Sequence, residues 1–242
     1  MRFTSTLAAL ALALGATADQ DWHFGDVGDS ELTLEVYMGP TSGSNYIKKV
    51  TYSVTAPPVP TDFSQKDCWA SIWIGLSASQ SDNSVPLMQP LFNWAPDNAA
   101  QGCPAANNAW CVAASTLLPT GQTDEPYIAV ANNQKVDFEI NTVSSGTVSQ
   151  KVSINGNIIS SITNSNIGKN PIYLIAANEC FTGKCGTLAQ YTWENVVVTL
   201  ATADKNFGAT LSLMDATSKG FSTSDNGLTW KGAITFNKDA FA

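Results

Sequence analysis

The sequence predicts an all-β protein, a two-sheet antiparallel β-sandwich or jelly roll. Three observations carry this expectation. Apolar and polar residues alternate with period two in short runs along most of the chain, no stretch sustains a helical period, and Gly, Pro and Asn punctuate the runs. Composition agrees. The hydrophobic fraction of 44% can fill a large core. Charged residues make up 13% of the chain, about half the usual share of roughly 25%. Ser, Thr, Asn, Gln and Gly must carry the surface instead, as in secreted β proteins.

Residues 1–18 read as a secretory signal peptide. Arg2 supplies the positive end, residues 7–14 are an Ala/Leu run, and Ala16-Thr17-Ala18 is a small-residue cleavage site. The run is shorter than the about 20 residues that a membrane helix needs. Residues 19–242 then form one domain, with no composition shift to divide it. Alternating runs at 31–37 and 49–55 come first, followed by strand signals at 72–76, 87–94, 110–114, 127–130 and 136–140. The runs 148–154 and 157–162 flank Asn155-Gly156, the favoured type I′ hairpin turn. Runs at 171–177, 188–200, 209–213 and 228–236 complete the set, which suits a sandwich or jelly roll. Pro57-Pro-Val-Pro60 is a stiff connection. Thr223-Ser-Asp-Asn-Gly-Leu-Thr-Trp230 fits the hairpin called an Asp box. There an Asp caps the turn, a Gly supplies positive φ and a Trp packs beneath, which makes it a structural turn.

Charge and cysteine usage bound the partners. Twelve Lys and Arg stand against twenty Asp and Glu, for a net charge of −8, with one histidine. Arg2 is the only arginine and lies in the expected leader. The rest of the chain has no guanidinium to clamp a phosphate and no basic patch, which excludes a nucleic-acid partner. One histidine cannot build a His-based zinc site, and paired C-x2-C knuckles are absent, so no metal and no cofactor is expected. With the leader removed, no segment is apolar enough to span a membrane. The expected location is outside the cell or in the lumen of the secretory pathway. There most of Cys68, Cys103, Cys111, Cys180 and Cys185 should pair, and five is odd. Cys103 and Cys111 bracket a Pro/Asn-rich loop, and Cys180 and Cys185 sit on another. These spacings allow closed loops without dictating the pairing.

Four motifs occur in a telling order: Cys68-Trp-Ala-Ser-Ile-Trp-Ile-Gly75, Leu87-Met-Gln-Pro90, Asn108-Ala-Trp110 and Cys185-Gly-Thr-Leu-Ala-Gln-Tyr-Thr-Trp-Glu194. Together they resemble the fungal glutamic peptidases, the eqolisins, over about residues 68–200. The resemblance implies a concanavalin-like sandwich with a concave cleft in which a Gln and a Glu activate a water. Carried over residue by residue, Trp73 matches the cleft Trp and Gln89 the catalytic Gln. Gln190 falls where the catalytic Glu is expected. Ser77 sits near the place of the cleft Asp, and Val112 where an acid follows the central Trp. The resemblance thus brings the fold and loses the acids.

That loss bears on chemistry. Such a peptidase needs a carboxyl group to take a proton from water and return it to the leaving amine, and an amide cannot titrate. Glu194 is the nearest carboxylate in the motif, on one strand face with Gln190 and Thr192 but about 13 Å from Gln190. A cleft of Gln89 and Gln190 amides, Trp73 and Trp110 indoles and the Thr192 hydroxyl suits a small uncharged, partly apolar molecule. The tail from Trp193 to Gly208 and the leader also look similar to secretory-pathway hetero-Diels–Alderases of fungal tropolone–sesquiterpenoid biosynthesis. That resemblance implies a cofactor-free enzyme that folds a small substrate into a reactive pose, since a pericyclic cyclisation needs no nucleophile, base or metal.

The expected assignment has Gln89, Gln190 and Thr192 as catalytic residues and Trp73, Ser77, Trp110 and Glu194 as substrate-binding residues. Two alternatives are an acid peptidase using a displaced Glu194 and a lectin-like module stacking sugars on exposed Trp. Paired acids offer a further reading. Glu31 and Glu35 lie about 13 Å apart along a strand, too far for glycoside chemistry, whereas Asp137 and Glu139 lie about 7 Å apart on one face. Alternating acids on a wet strand face are ordinarily just solvated.

Overall fold

The chain is described by a computed structural model covering residues 22–24, 36–64, 66–82, 84–181 and 185–241. The expected leader and the Glu31/Glu35 pair lie outside these residues. Twenty strands form in chain order among them. They are β1 (Trp22–Phe24), β2 (Val36–Met38), β3 (Ile47–Thr55), β4 (Trp69–Ser77), β5 (Leu87–Met88), β6 (Leu91–Trp94) and β7 (Cys111–Ala113). Then come β8 (Ser115–Leu118), β9 (Gly121–Asp124), β10 (Ile128–Ala129), β11 (Lys135–Ser144), β12 (Thr147–Ile154), β13 (Asn157–Ser165) and β14 (Tyr173–Phe181). The last are β15 (Gly186–Leu188), β16 (Tyr191–Leu200), β17 (Ser212–Leu213), β18 (Ala216–Thr217), β19 (Thr229–Phe236) and β20 (Asp239–Phe241). Two short 3-10 turns, Ala99–Gln101 and Phe207–Thr210, are the only helical segments among the described residues.

Eleven strands make one sheet, ordered β10-β7-β6-β4-β14-β2-β17, with β1, β5, β8 and β9 joined to it. Seven make the second, ordered β13-β12-β11-β3-β16-β19-β18, and β15 pairs with β20. The expected all-β two-sheet sandwich is what the chain forms. Two expected strands are broken, and the breaks have causes. Pro90 has no N–H to give a ladder, so 87–94 divides into β5 and β6, and the Gln89 N–H bonds to the Ser115 carbonyl at 2.9 Å instead. The run 188–200 divides at Ala189-Gln190, leaving β15 in a different sheet from β16. Conversely, β14 runs on to Phe181, past the expected end at Ala177.

The two sheets meet over one main core. Ala70, Ile72, Ile74 and Leu76 of β4 face Val50, Tyr52 and Val54 of β3, Phe138 of β11 and Trp193 of β16. Aromatic rings lock its centre. Phe138 stacks on Tyr52 at 5.0 Å and meets Trp193 edge-on at 5.8 Å, while Tyr52 meets Trp193 at 5.3 Å. Such pairs add about 0.5–1.5 kcal/mol each beyond area burial. Tyr191 and Trp193 face inward, as the alternation of β16 implies.

Local features follow the chemistry of their residues. Asn155 (φ 52°) and Gly156 (φ 78°) form the turn between β12 and β13, the positive φ values that a type I′ turn requires. In the Asp box, the Asp225 carboxylate accepts from the Thr223 hydroxyl (2.9 Å) and the Thr229 N–H (2.8 Å). The Trp230 indole donates to the Gly227 carbonyl at 3.2 Å. A Cβ at Gly227 would lie 2.6 Å from the Asp204 backbone, so this turn needs glycine twice over, for space and for its φ of 94°.

Disulfides join Cys103 to Cys111 and Cys180 to Cys185, and Cys68 is a buried free thiol. Burial, then the charge of Asp67, pushes that thiol up to about 11. A Cys103→Ala/Cys111→Ala double substitution is expected to cost about 2–3 kcal/mol, the chain entropy of so short a loop. Urea melts of the two proteins would check it, and an unchanged midpoint would contradict it.

Candidate active site

The second face of β4 builds the candidate site. Side chains alternate along a strand, so Trp69, Ser71, Trp73, Gly75 and Ser77 turn away from the main core. Register places Leu91 and Asn93 of β6 beside Trp73 and Ser71 on one flank. On the other flank, Ile175, Ala177 and Glu179 of β14 lie beside Gly75, Trp73 and Ser71. The outer face of a two-layer sheet is normally wet. Here it carries a second apolar cluster of Trp73, Leu91, Ile175 and Ala177, flanked by Leu87, Tyr127 and Tyr173.

Gln89 enters this face at the Pro90 break. A Cβ placed on Gly75 would sit 3.1 Å from the Gln89 Cβ and 2.9 Å from the Met88 carbonyl oxygen. Glycine at 75 is therefore what lets Gln89 lie over the strand, between Trp73 and Ser77. Ser77 is buried there, and its Oγ accepts the Ser79 N–H at 3.2 Å. Trp73 is 1% exposed and Gln89 3%. The Trp73 Nε1 donor and the Gln89 Oε1 acceptor are both buried without a hydrogen-bond partner. Each such orphan costs about 1–3 kcal/mol, and native structures hold few of them.

Beyond Trp73 the face turns polar. The Ser71 hydroxyl donates to Asn93 Oδ1. The Asn93 amide donates to the Tyr127 hydroxyl at 2.6 Å, and that hydroxyl donates to Asp124 at 2.8 Å. Burial, then the Asp124 charge, pushes the Tyr127 phenol well above its usual range, so it stays a donor. Glu179, paired in register with Ser71, is partly buried. Burial raises its carboxyl to about 7, and the Trp73 indole N–H draws it back only in part without closing a hydrogen bond.

Three of the seven expected site residues, Gln89, Trp73 and Ser77, thus share one face. The other four stand elsewhere. Gln190 is exposed in the link between β15 and β16. Thr192 and Glu194 project from the outer face of the seven-stranded sheet, the opposite side of the sandwich from Trp73. There Thr192 bonds to Thr235 at 2.9 Å and Glu194 pairs with Lys135 at 3.1 Å. Alternation along β16 does put these two on one face, but the strand belongs to the other sheet. Trp110 is fully buried between the sheets, where its indole donates to the Pro57 carbonyl at 2.8 Å. It is a core residue, edge-on to Phe92 at 6.1 Å.

The expectation of a face stripped of acids also needs correction, because Glu179 stands on it. The residue across from Gly75 is Ile175, and Glu179 lies four residues further along β14. Sequence reading missed Glu179 by ending its strand at Ala177. Two more residues of the same alternation would have put it on the face of Ile175 and Ala177; its seat beside Ser71 comes from the pairing of β14 with β4.

Two open hollows of about 660 and 410 Å³ lie over the outer face of the seven-stranded sheet. Asp137 and Glu139 line the second. Glu139 is bridged by Lys49 at 2.5 Å and Lys151 at 3.1 Å. Burial pushes its carboxyl up, but the two lysine ammonium groups outweigh this and hold it below the usual range. A glycosidase acid must keep its proton near working pH, whereas Glu139 belongs to an ion-pair network with Lys49 and Lys151. Deeper burial and orphaned polar atoms make the Trp73 face the better candidate.

No family model matches the chain, and no curated protein matches it in sequence. Its fold does have solved counterparts. Scytalido-glutamic peptidase, solved with a transition-state analogue inhibitor, superposes with a TM-score of 0.50 at 12% identity, over 90% of this chain and 98% of that one. SCP-B, a member of the eqolisin family solved with the tripeptide Ala-Ile-His, superposes at 0.47 with 11% identity, over 90% and 98%. At such identity the likeness speaks to fold alone. This chain has the two-sheet β-sandwich fold seen in scytalido-glutamic peptidase.

Proposed function

We propose that this protein is a secretory-pathway enzyme that binds a small, largely apolar molecule on the Trp73 face and promotes its cyclisation, of the hetero-Diels–Alder type, in secondary-metabolite biosynthesis. One observation carries the reading: an orphaned donor, Trp73 Nε1, and an orphaned acceptor, Gln89 Oε1, are buried on a face with an apolar centre. A neutral ligand with one acceptor and one donor would satisfy both. The surrounding Leu87, Leu91, Ile175 and Ala177 favour an apolar body. Ile175 stands across from Gly75, and the carboxyl on this face, Glu179, lies four residues further along β14, about 13 Å away. A cyclisation needs only that its two π systems be held together, and well-oriented intramolecular reactions gain about 7–11 kcal/mol from that alone. A hydrogen bond from the indole to a carbonyl of the electron-poor partner would lower the barrier further. Two disulfides fit an oxidising compartment.

The test is genetic and biochemical together. The gene is deleted in its host, small molecules are profiled, and purified protein is added to the extract. One cyclised product should vanish and return. An unchanged profile would remove the reading, and cleavage of denatured protein at acid pH would favour the peptidase in its place.

A further inference from the structure

The Trp73 face has two polar ends. At one end Gln89 lies over Gly75. At the other, Glu179, Ser71 and Asn93 stand in register across three neighbouring strands. Four residues of β4 separate Gly75 from Ser71, about 13 Å at strand rise. The floor between them is apolar: Trp73, Leu91 and Ala177. A ligand that pairs with Gln89 therefore ends, after an apolar body of that length, at Glu179.

The polarity of the far end is set by its neighbours. From β4 it is faced by Ser71 and Trp73, neither of them charged. Ser71 spends its proton on Asn93, which in turn feeds Tyr127 and Asp124. The Ser71 oxygen is left as an acceptor. Asp124 and Tyr127 are the titratable groups reached through that chain, and Tyr127 keeps its proton. On the remaining flank, β1 sets Phe24 opposite Glu179 and His23, its one titratable residue, opposite Cys180. Among these groups, the Glu179 carboxyl and the Trp73 indole are the donors left to address a ligand oxygen.

We propose that Glu179, in its neutral form, is a second catalytic residue, donating a hydrogen bond to a carbonyl oxygen of an elongated substrate whose other polar end meets Gln89 about 13 Å away. This rests on the cyclisation proposed above. In the step itself two π bonds are consumed and two σ bonds form within the substrate. The proton stays on Glu179, which only withdraws electron density from the carbonyl-bearing partner. The substrate class is thus a two-ended molecule with an apolar middle and an electron-poor carbonyl at one end.

The sign of the pH effect is fixed by the direction of the shift. The carboxyl titrates at about 7 in the folded protein and near 4.5 when unperturbed. Between those values the folded state binds more protons than the unfolded state, so stability falls as pH rises through that window. Activity should fall as pH rises past 7. The experiment measures product formation from the deletion-strain extract between pH 5 and 9, beside thermal midpoints over the same range. It uses the wild-type protein, Glu179→Gln and Glu179→Leu. Expected are a wild-type rate that drops above pH 7, a Glu179→Gln rate that is flat with pH because its amide still donates, and at least a tenfold loss in folded Glu179→Leu. The fall of the midpoint with pH should disappear in both variants. A wild-type rate indifferent to pH, or full turnover by Glu179→Leu, overturns this role and leaves the Gln89–Trp73 reading standing. No product from the wild-type protein at any pH overturns both.

Discussion

A Trp73→Phe/Gln89→Leu double variant should melt at a higher temperature than the wild-type protein and lose at least tenfold in turnover. The two effects have one cause. Trp73 Nε1 and Gln89 Oε1 are buried without a closed hydrogen bond, the indole N–H acting only weakly on the Glu179 carboxyl. Removing both polar atoms while keeping most of the side-chain volume spares about 1–3 kcal/mol at each position, less any loss from imperfect packing of about 1 kcal/mol. The same change removes the donor and the acceptor that would orient a ligand. A residue whose only job is packing would behave differently, since its replacement would lower the melting temperature and leave turnover alone. Calorimetry and product assay on the same preparations separate the two outcomes. A stabilised variant with undiminished turnover would detach these atoms from the function.

The largest loss of stability should come from Trp193→Ala, at about 3–5 kcal/mol, as for other buried aromatics cut back to Ala. Trp193 is fully buried at the meeting point of Tyr52, Phe138 and Tyr191. Trp193→Phe should be far milder, within about 1.5 kcal/mol. Its indole Nε1 is itself buried without a partner, so the smaller ring removes a penalty along with some contact area. Guanidinium melts of the two variants would show the gap. Equal losses would mean that the indole nitrogen is satisfied in solution.

Much of the architecture is legible along the chain. Period-two alternation turns Tyr191 and Trp193 inward and Thr192 and Glu194 outward, and the structure keeps that division. Asn155-Gly156 and the Asp box are turns for reasons contained within a few residues. Cys103 and Cys111 are near enough in sequence to close their own loop. The site was legible only in pieces. Trp73 and Gln89 were found through resemblance, while Glu179 was hidden by a strand boundary drawn two residues short.

What the sequence determined by itself is which side of its own strand each residue takes, where the turns fall, and hence the all-β sandwich. Those are local consequences of backbone geometry and side-chain size. Which strands become neighbours was decided by the tertiary structure. It seats β14 beside β4, joining Glu179 to Ser71 across about a hundred positions of chain, and it assigns β16 to the opposite sheet, taking Thr192 and Glu194 away from Gln89. Alternation fixes a face relative to one strand. Only the packing of two apolar faces into a common core selects the partner strand, and that choice is made by the whole chain at once.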